Sequence, residues 1–147
     1  MLYKNAPIDH FTVKFGIYYP VDKSLSVAAM CDRAIMALNT IKGQYGSDYA
    51  AYSQLLQQKY NREHRIIDSM ETALESGQFS VYYQPKHDIK SSKIVGVEAL
   101  VRWQHPEYGF MSPGEFIPLF ERTGFIYRLD KYVWNKVCED LRQWIDE

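Results

Sequence analysis

The sequence has no long apolar run, no excess of charge of either sign and little cysteine. No stretch approaches the ~20 consecutive apolar residues that a membrane helix needs. The opening Met1-Leu2-Tyr3-Lys4-Asn5-Ala6-Pro7 has no apolar core of a signal peptide, so a cytoplasmic location is expected. Against 17 Lys and Arg stand 18 Asp and Glu. That balance gives no electrostatic reason to expect a nucleic-acid polymer or an anionic membrane as partner. Cys31 and Cys138 lie far apart, both in helical patterns, and free thiols are expected rather than a disulfide or a metal pair. What the sequence does have is aromatic residues. Twelve tyrosines among 147 residues argue for packed structure and against disorder.

The chain reads as two unequal pieces joined by a helix. Phe11 to Tyr19, rich in β-branched and aromatic residues around Gly16, is a strand ended by Pro20. Ser24 to Lys42 places Val27, Met30, Ala34, Ala37, Leu38 and Ile41 at helical spacing. Ser26 is its N-cap and Gly43 its stop. Tyr49 to Tyr52 is a short strand. Ser53 to Ser76 runs without Pro or Gly and is closed by Gly77. Its stripe is Leu56, Tyr60, Glu63, Ile67, Met70 and Leu74. Two readings of this helix stay open: an amphipathic helix packed on its own domain, or a signalling linker or coiled-coil seam between protomers.

Beyond Gly77, Phe79 to Pro85 and Ile94 to Trp103 are strands, with the polar Lys86 to Lys93 as the loop between them. Ser112-Pro113-Gly114-Glu115 opens a helix through Arg122. Ser112 caps it, Pro113 suits its first turn and Glu115 completes a capping box. Gly124 stops it. Asp130 to Asp146 is a second helix with Val133, Val137, Leu141, Trp144 and Ile145 on one face. The expected order is strand, strand, helix, helix, which is not a simple βαβ repeat.

The residues with chemical potential lie in Ile94-Val95-Gly96-Val97-Glu98-Ala99-Leu100-Val101-Arg102-Trp103. Strand side chains alternate between faces. Glu98, Leu100 and Arg102 share one face; Val97, Ala99, Val101 and Trp103 share the other and are expected to pack on helices. A carboxylate and a guanidinium on so apolar a strand need an explanation, because an unpaired buried charge is costly. Either the two pair or their face is wet, or they bind something. In the latter case Glu98 suits a divalent cation and Arg102 a phosphate. His87 and His105 read as loop residues rather than metal ligands, and Tyr82, Tyr83 and Trp103 as a core cluster.

Glu98-Ala99-Leu100 with Val101-Arg102-Trp103 resembles the signature of EAL domains. Tyr83-Gln84-Pro85 sits upstream, where that family ends its first strand. Ser112-Pro113-Gly114-Glu115-Phe116-Ile117-Pro118 resembles the helix opening that follows, and Glu121-Arg122-Thr123-Gly124-Phe125-Ile126 the turn after it. Four ordered blocks are a far more specific signal than one triplet. The resemblance implies a (β/α)-barrel phosphodiesterase that linearises cyclic di-GMP with Mg²⁺ or Mn²⁺. Glu98 would then be a metal ligand, and Gln84, Leu100 and Arg102 would contact substrate, Arg102 at a phosphate.

The N-terminal piece is similar to something else. Phe11-Thr12-Val13-Lys14-Phe15-Gly16-Ile17 resembles a late strand of GGDEF (diguanylate cyclase) domains. Cys31 to Leu38 with Lys42-Gly43 resembles the helix after it. Ile35, Asn39 and Ile41 depart from that pattern, and the cyclase signature loop, upstream in that family, is not present; no cyclase activity is implied.

The resulting expectation is an α/β chain. Residues 1–52 form the remnant of a degenerate, α+β GGDEF-like domain, residues 53–76 a connecting helix, and residues 77–147 a partial EAL-type (β/α) barrel segment. A whole (β/α)₈ barrel takes about 250 residues. The family's other metal ligands and catalytic lysine come from later strands, so no catalytic residue is assigned here. The chain is therefore expected to be a piece of a larger bacterial GGDEF–EAL signalling protein, inactive and without a stably held metal by itself. Homo-oligomerisation through exposed apolar surface or the connecting helix is expected. The alternative is a non-catalytic regulatory, nucleotide-binding or dimerisation module.

Overall fold

The computed structural model describes residues 13–21 and 24–146. Phe11 and Thr12 of the expected first strand fall outside them. The chain divides into two compact units, one ending at Arg62 and the next beginning at Glu63.

In the first unit, strand β1 (Phe15–Ile17) leads to helix α1 (Val27–Ile41) and strand β2 (Tyr49–Ala51). The strands are parallel, with Gly16 opposite Ala50. These elements form a βαβ unit, because a parallel neighbour needs a crossover connection. The Ser26 hydroxyl caps α1 by accepting from the Ala29 N–H at 3.2 Å. At the other end Lys14 Nζ donates to the Ile41 carbonyl at 2.8 Å, placing a cation where the helix dipole is negative. Ala37 and Ile41 are the buried residues of α1. Gly16 is where β1 and α1 meet. A Cβ there would lie 1.9 Å from the Ala34 carbonyl oxygen, so only glycine admits this approach.

Helix α2 (Gln54–Glu75) starts in the first unit and ends in the second. Its second half is an ordinary packed helix. Ile66 and Ala73 are buried, with Ile67, Met70 and Leu74 against the same core. The expected stripe holds at Ile67, Met70 and Leu74 and is widened by Ile66 and Ala73, whereas Tyr60 is exposed and Glu63, its polar exception, pairs with Arg122 at 3.0 Å.

The second unit continues with β3 (Phe79–His87), β4 (Ile94–His105), β5 (Gly109–Met111), α3 (Pro113–Thr123) and α4 (Ile126–Asp146). The sheet is antiparallel in the order β3-β4-β5, an open sheet and no closed barrel. The expected strand-strand-helix-helix order is corrected by β5. Three residues opening on Gly109 are too few to show alternation. The expected loop from Lys86 is also shortened, since Lys86 and His87 still pair with β4. The turn is held by Asp88, whose Oδ1 accepts from the Lys90 and Ser91 N–H groups. The Ser91 hydroxyl first, then the Ser91 and Lys90 N–H groups, hold its carboxyl below the usual range.

Trp103 is the centre of this unit and is fully buried. It packs on Phe79, Phe116 and Phe120 at ring separations of 4.9, 5.5 and 5.6 Å. Its indole N–H donates to Gln78 Oε1 at 3.0 Å. Glu115 reaches back to the Ser112 N–H at 3.1 Å, as the Ser-x-x-Glu spacing predicts. Helix α4 begins at Ile126, four residues earlier than expected. It buries Leu129, while Leu141, Trp144 and Ile145, expected on its packed face, are exposed. The helix is fixed instead by polar anchors: Tyr132 donates to the Phe79 carbonyl at 2.7 Å, and Asp140 accepts from Tyr83.

Gly16→Ala should destabilise the first unit by about 1–3 kcal/mol, the usual cost of forcing atoms into a packed contact. All three tryptophans, Trp103, Trp134 and Trp144, lie in the second unit. Hydrogen exchange of α1 amides should therefore accelerate while tryptophan fluorescence stays that of the parent. Unchanged exchange would overturn the assigned contact.

Candidate functional site

The β3–β4 register decides which side chains meet. Phe79, Val81, Tyr83 and Pro85 stand opposite Trp103, Val101, Ala99 and Val97. Strand alternation puts all eight on one face. Burial on it grades along β4: Trp103 is buried, Val101 and Ala99 are half-buried, and Val97 is 43% exposed. The expectation that this whole face packs on helices holds only for the C-terminal half of β4.

The opposite face carries the expected site residues. Gln84 lies directly across from Glu98, Tyr82 from Leu100, and Ser80 from Arg102. Gln84, Glu98, Leu100 and Arg102 are therefore brought to one face, as the alternation predicts. Glu98 does not pair with Arg102. Its carboxylate meets Lys86 Nζ at 3.1 Å, with the Glu98 side chain 51% exposed. Lys86 sits diagonally across the ladder from it, within reach of a long side chain. Arg102 donates to the Val101 carbonyl at 2.9 Å and lies over the Tyr82 ring at 5.9 Å. The face is wet, so both charges are tolerated without a mutual pair.

Tyr82 and Lys86 were not among the expected site residues. Tyr82 is 56% exposed, which corrects its assignment to a core cluster. The signal was present: Tyr82, Gln84 and Lys86 recur at period two, and only a loop boundary placed too early hid Lys86. The two face charges of Lys86 and Arg102 against one of Glu98 leave this surface net cationic, suited to phosphate oxygens. It does not suit a metal by itself. A divalent cation takes six or more oxygen ligands, whereas Glu98 is one carboxylate already held by a lysine. Among the described residues no three His, Cys, Asp or Glu side chains converge.

The sheet is held in place from behind. Tyr83 O–H donates to Asp140 Oδ2 at 2.7 Å, and Lys136 Nζ to Asp140 Oδ1 at 2.7 Å. Trp144 meets the Tyr83 ring edge-on at 4.9 Å. Burial pushes the Tyr83 phenol up to about 12, and the Asp140 carboxylate adds to the shift. Lys136 first, then the Tyr83 phenol, holds the Asp140 carboxyl below its usual range. His105 is buried and structural. Its Nδ1 accepts from the Glu107 and Tyr108 N–H groups at 3.0 and 3.2 Å. Nε2 therefore carries the proton toward Ser69 Oγ at 3.2 Å. His87 is exposed, its Nδ1 lying 3.1 Å from the Ser92 carbonyl. His10 lies outside the described residues. Cys31 and Cys138 are free and exposed, and no helix among the described residues is long and apolar enough to cross a membrane.

The EAL domain family model matches residues 67–147. Among similar proteins, the bifunctional diguanylate cyclase/cyclic di-GMP phosphodiesterase MucR of Pseudomonas aeruginosa is 32% identical over 128 residues. The alignment covers 87% of this chain and 18% of MucR. The cyclic di-GMP phosphodiesterase PA2567 of the same organism is 40% identical over 101 residues, covering 67% of this chain and 17% of PA2567. The chain thus spans less than a fifth of the length of these curated relatives. Among solved structures, "PaMucR Phosphodiesterase, c-di-GMP complex" matches with a TM-score of 0.53 and 39% identity, over 56% of this chain and 33% of that one. "Structure of EAL Enzyme Bd1971 - cAMP and cyclic-di-GMP bound form" matches with a TM-score of 0.51 and 25% identity, over 84% of this chain and 29% of that one.

The Tyr83–Asp140 bond gives a pH dependence with a definite sign. A phenol whose folded value is about 12, above its ordinary ~10, stabilises the fold fully below the ordinary value. That contribution is lost as pH rises through the folded one. In urea titrations, the stability gap between the parent and Tyr83→Phe should be constant near neutrality and shrink across this alkaline window. A gap that persists through it would contradict the assignment.

Proposed function

The chain belongs to the EAL domain family, and on that ground we propose that its second unit is the opening part of a cyclic di-GMP phosphodiesterase domain within a larger signalling protein. The observation that carries this reading is the shared face of Gln84, Glu98, Leu100 and Arg102, set by the β3–β4 register. On it Arg102 grips a phosphate of the dinucleotide, since a planar guanidinium matches two phosphate oxygens at once. Gln84 hydrogen-bonds the nucleotide beside it and Leu100 gives an apolar contact. Glu98 would contribute one oxygen ligand to a Mg²⁺ or Mn²⁺ ion, with the other ligands coming from outside these residues. When bound, that ion supplies charge neutralisation and an activated water. Lys86, which holds Glu98 at 3.1 Å, would have to release it for that role. Residues 1–52 are the end of a degenerate GGDEF-like domain joined by α2, and the working location is the cytoplasm. The similarity to cyclic di-GMP phosphodiesterases and to a bifunctional cyclase/phosphodiesterase supports this reading.

Hydrolysis of cyclic di-GMP with Mn²⁺ tests it in two arms. The chain alone should show no turnover, because its residues do not complete a metal site. In the intact parent protein, Arg102→Ala should lower turnover by roughly 100-fold, the usual scale for losing one group that stabilises reacting phosphate charge. Turnover by the chain alone, or a parent indifferent to Arg102→Ala, would sink the proposal.

The open sheet has a consequence in solution. Among the described residues, the Ile94–Arg102 stretch of β4 has a ladder partner only on its β3 side. Ile94, Val95 and Val97 are exposed there. An open, apolar strand edge is a template for pairing with another chain, and we infer that the chain self-associates. Light scattering should report oligomers at working concentration. A monodisperse monomer with a cooperative melt would rule this out.

A further inference from the structure

The first unit contains a cleft that the cyclic di-GMP reading does not use. It encloses about 730 Å³, within the size range of small-molecule sites. Its centre is Arg33, projecting from α1. The guanidinium lies over two tyrosine rings, at 5.2 Å from the Tyr18 centroid and 5.1 Å from that of Tyr52. The rings meet edge-on at 5.5 Å. Arg33 Nη1 donates to the Tyr18 hydroxyl at 2.8 Å. The Tyr52 hydroxyl in turn donates to Gln57 Oε1 at 3.3 Å.

Three features of this cleft bear on what it can hold. First, it is cationic. Among the described residues no Asp or Glu lines it, and Arg33 has no carboxylate partner. The rings compensate the charge only through their faces. Second, the guanidinium is already oriented. Two rings and one hydroxyl fix its plane, so less side-chain entropy is lost when a ligand arrives. A guanidinium has five N–H donors, and the Tyr18 bond uses one of them. Third, Tyr19 also lines the cleft with 63% of its surface exposed. It offers a free aromatic face beside the fixed cation.

We propose that this cleft binds a small aromatic anion of the size and chemistry of a nucleoside monophosphate. Its phosphate docks on the Arg33 fork, and its base lies against Tyr19. A purely structural clamp between α1 and the tyrosines would explain the stacking. It would not explain a guanidinium held by rings and a hydroxyl, with no carboxylate partner among the described residues, beside a cleft this large. The inference is independent of the assignment of the second unit, and its failure would leave that assignment untouched.

Calorimetric titration of the whole chain with adenosine 5′-monophosphate, inorganic phosphate and adenosine separates the contributions. The nucleotide should bind saturably, and phosphate alone or adenosine alone at least roughly tenfold more weakly, a difference of about 1.4 kcal/mol. Arg33→Met keeps an apolar stem on the rings and removes the charge. Gln57→Glu keeps an acceptor for the Tyr52 hydroxyl and places an anion in the cleft. Each should weaken nucleotide binding by roughly tenfold or more. Should Arg33→Met disturb the fold, Gln57→Glu carries the test, with circular dichroism confirming its native helix content. No saturable binding by the parent chain, phosphate binding as tight as the nucleotide, or undiminished binding by a folded Gln57→Glu variant would each overturn the proposal.

Discussion

The second unit depends on the burial of one side chain. Trp103 fills the space between the sheet and α3, and nothing else in β4 is as large or as completely enclosed. Its indole N–H is satisfied by Gln78, and the Gln78 carbonyl accepts from the Gln104 N–H at 3.0 Å. The chain entering β3 is thus tied to β4 at this point. Once Trp103 is inward, Arg102 must face the other way, and so must Leu100 and Glu98, because a strand has period two. A slip of one residue would turn the site residues into the core and bring Trp103 into water. The geometry of the charged face is a consequence of apolar packing on the reverse of the same strand.

The support for that strand comes from three directions, each with its own chemistry. Helix α3 supplies aromatic area through Phe116 and Phe120. Helix α2 closes the end of β4 through His105, whose ring stacks on Tyr108 at 4.6 Å and contacts Trp103 at 5.0 Å. Helix α4 holds β3 through a hydrogen-bonded triad of Tyr83, Asp140 and Lys136. Apolar burial sets the register, since it scales with area and rejects a slipped strand. The polar contacts orient the helices, since hydrogen bonds are directional. Helix α4 shows the division plainly: it buries Leu129 near its start, yet its later turns are held by Tyr83 while Leu141 and Ile145 stay exposed.

What the sequence made legible follows the same division. Alternation over ten residues of β4 was long enough to place Glu98, Leu100 and Arg102 together, and Ser-x-x-Glu was enough to start α3. Short or tertiary features were not legible. β5 is three residues long and exists because β4 offers it a ladder. The expected stripe of α2 omits Ile66 and Ala73, because Ile66 and Ile67 are equally apolar in sequence and only packing shows that both reach the core. Tyr82 was assigned to the interior because tyrosine beside tyrosine gives no facing. Its position opposite Leu100 decides the matter. The GGDEF resemblance rests on a strand and a helix, and the βαβ unit found there is compatible with many folds.

The pair of Lys86 and Glu98 sharpens what this face can do. Exposed ion pairs of this kind contribute between nothing and about 1 kcal/mol, so the lysine is an occupant that a stronger cation can displace. It also prevents Glu98 from cancelling Arg102. With Lys86 on the carboxylate, the guanidinium lies over the Tyr82 ring rather than against an acid. The arrangement needs only side chains already present on β3 and β4, and it follows from the register that Trp103 enforces.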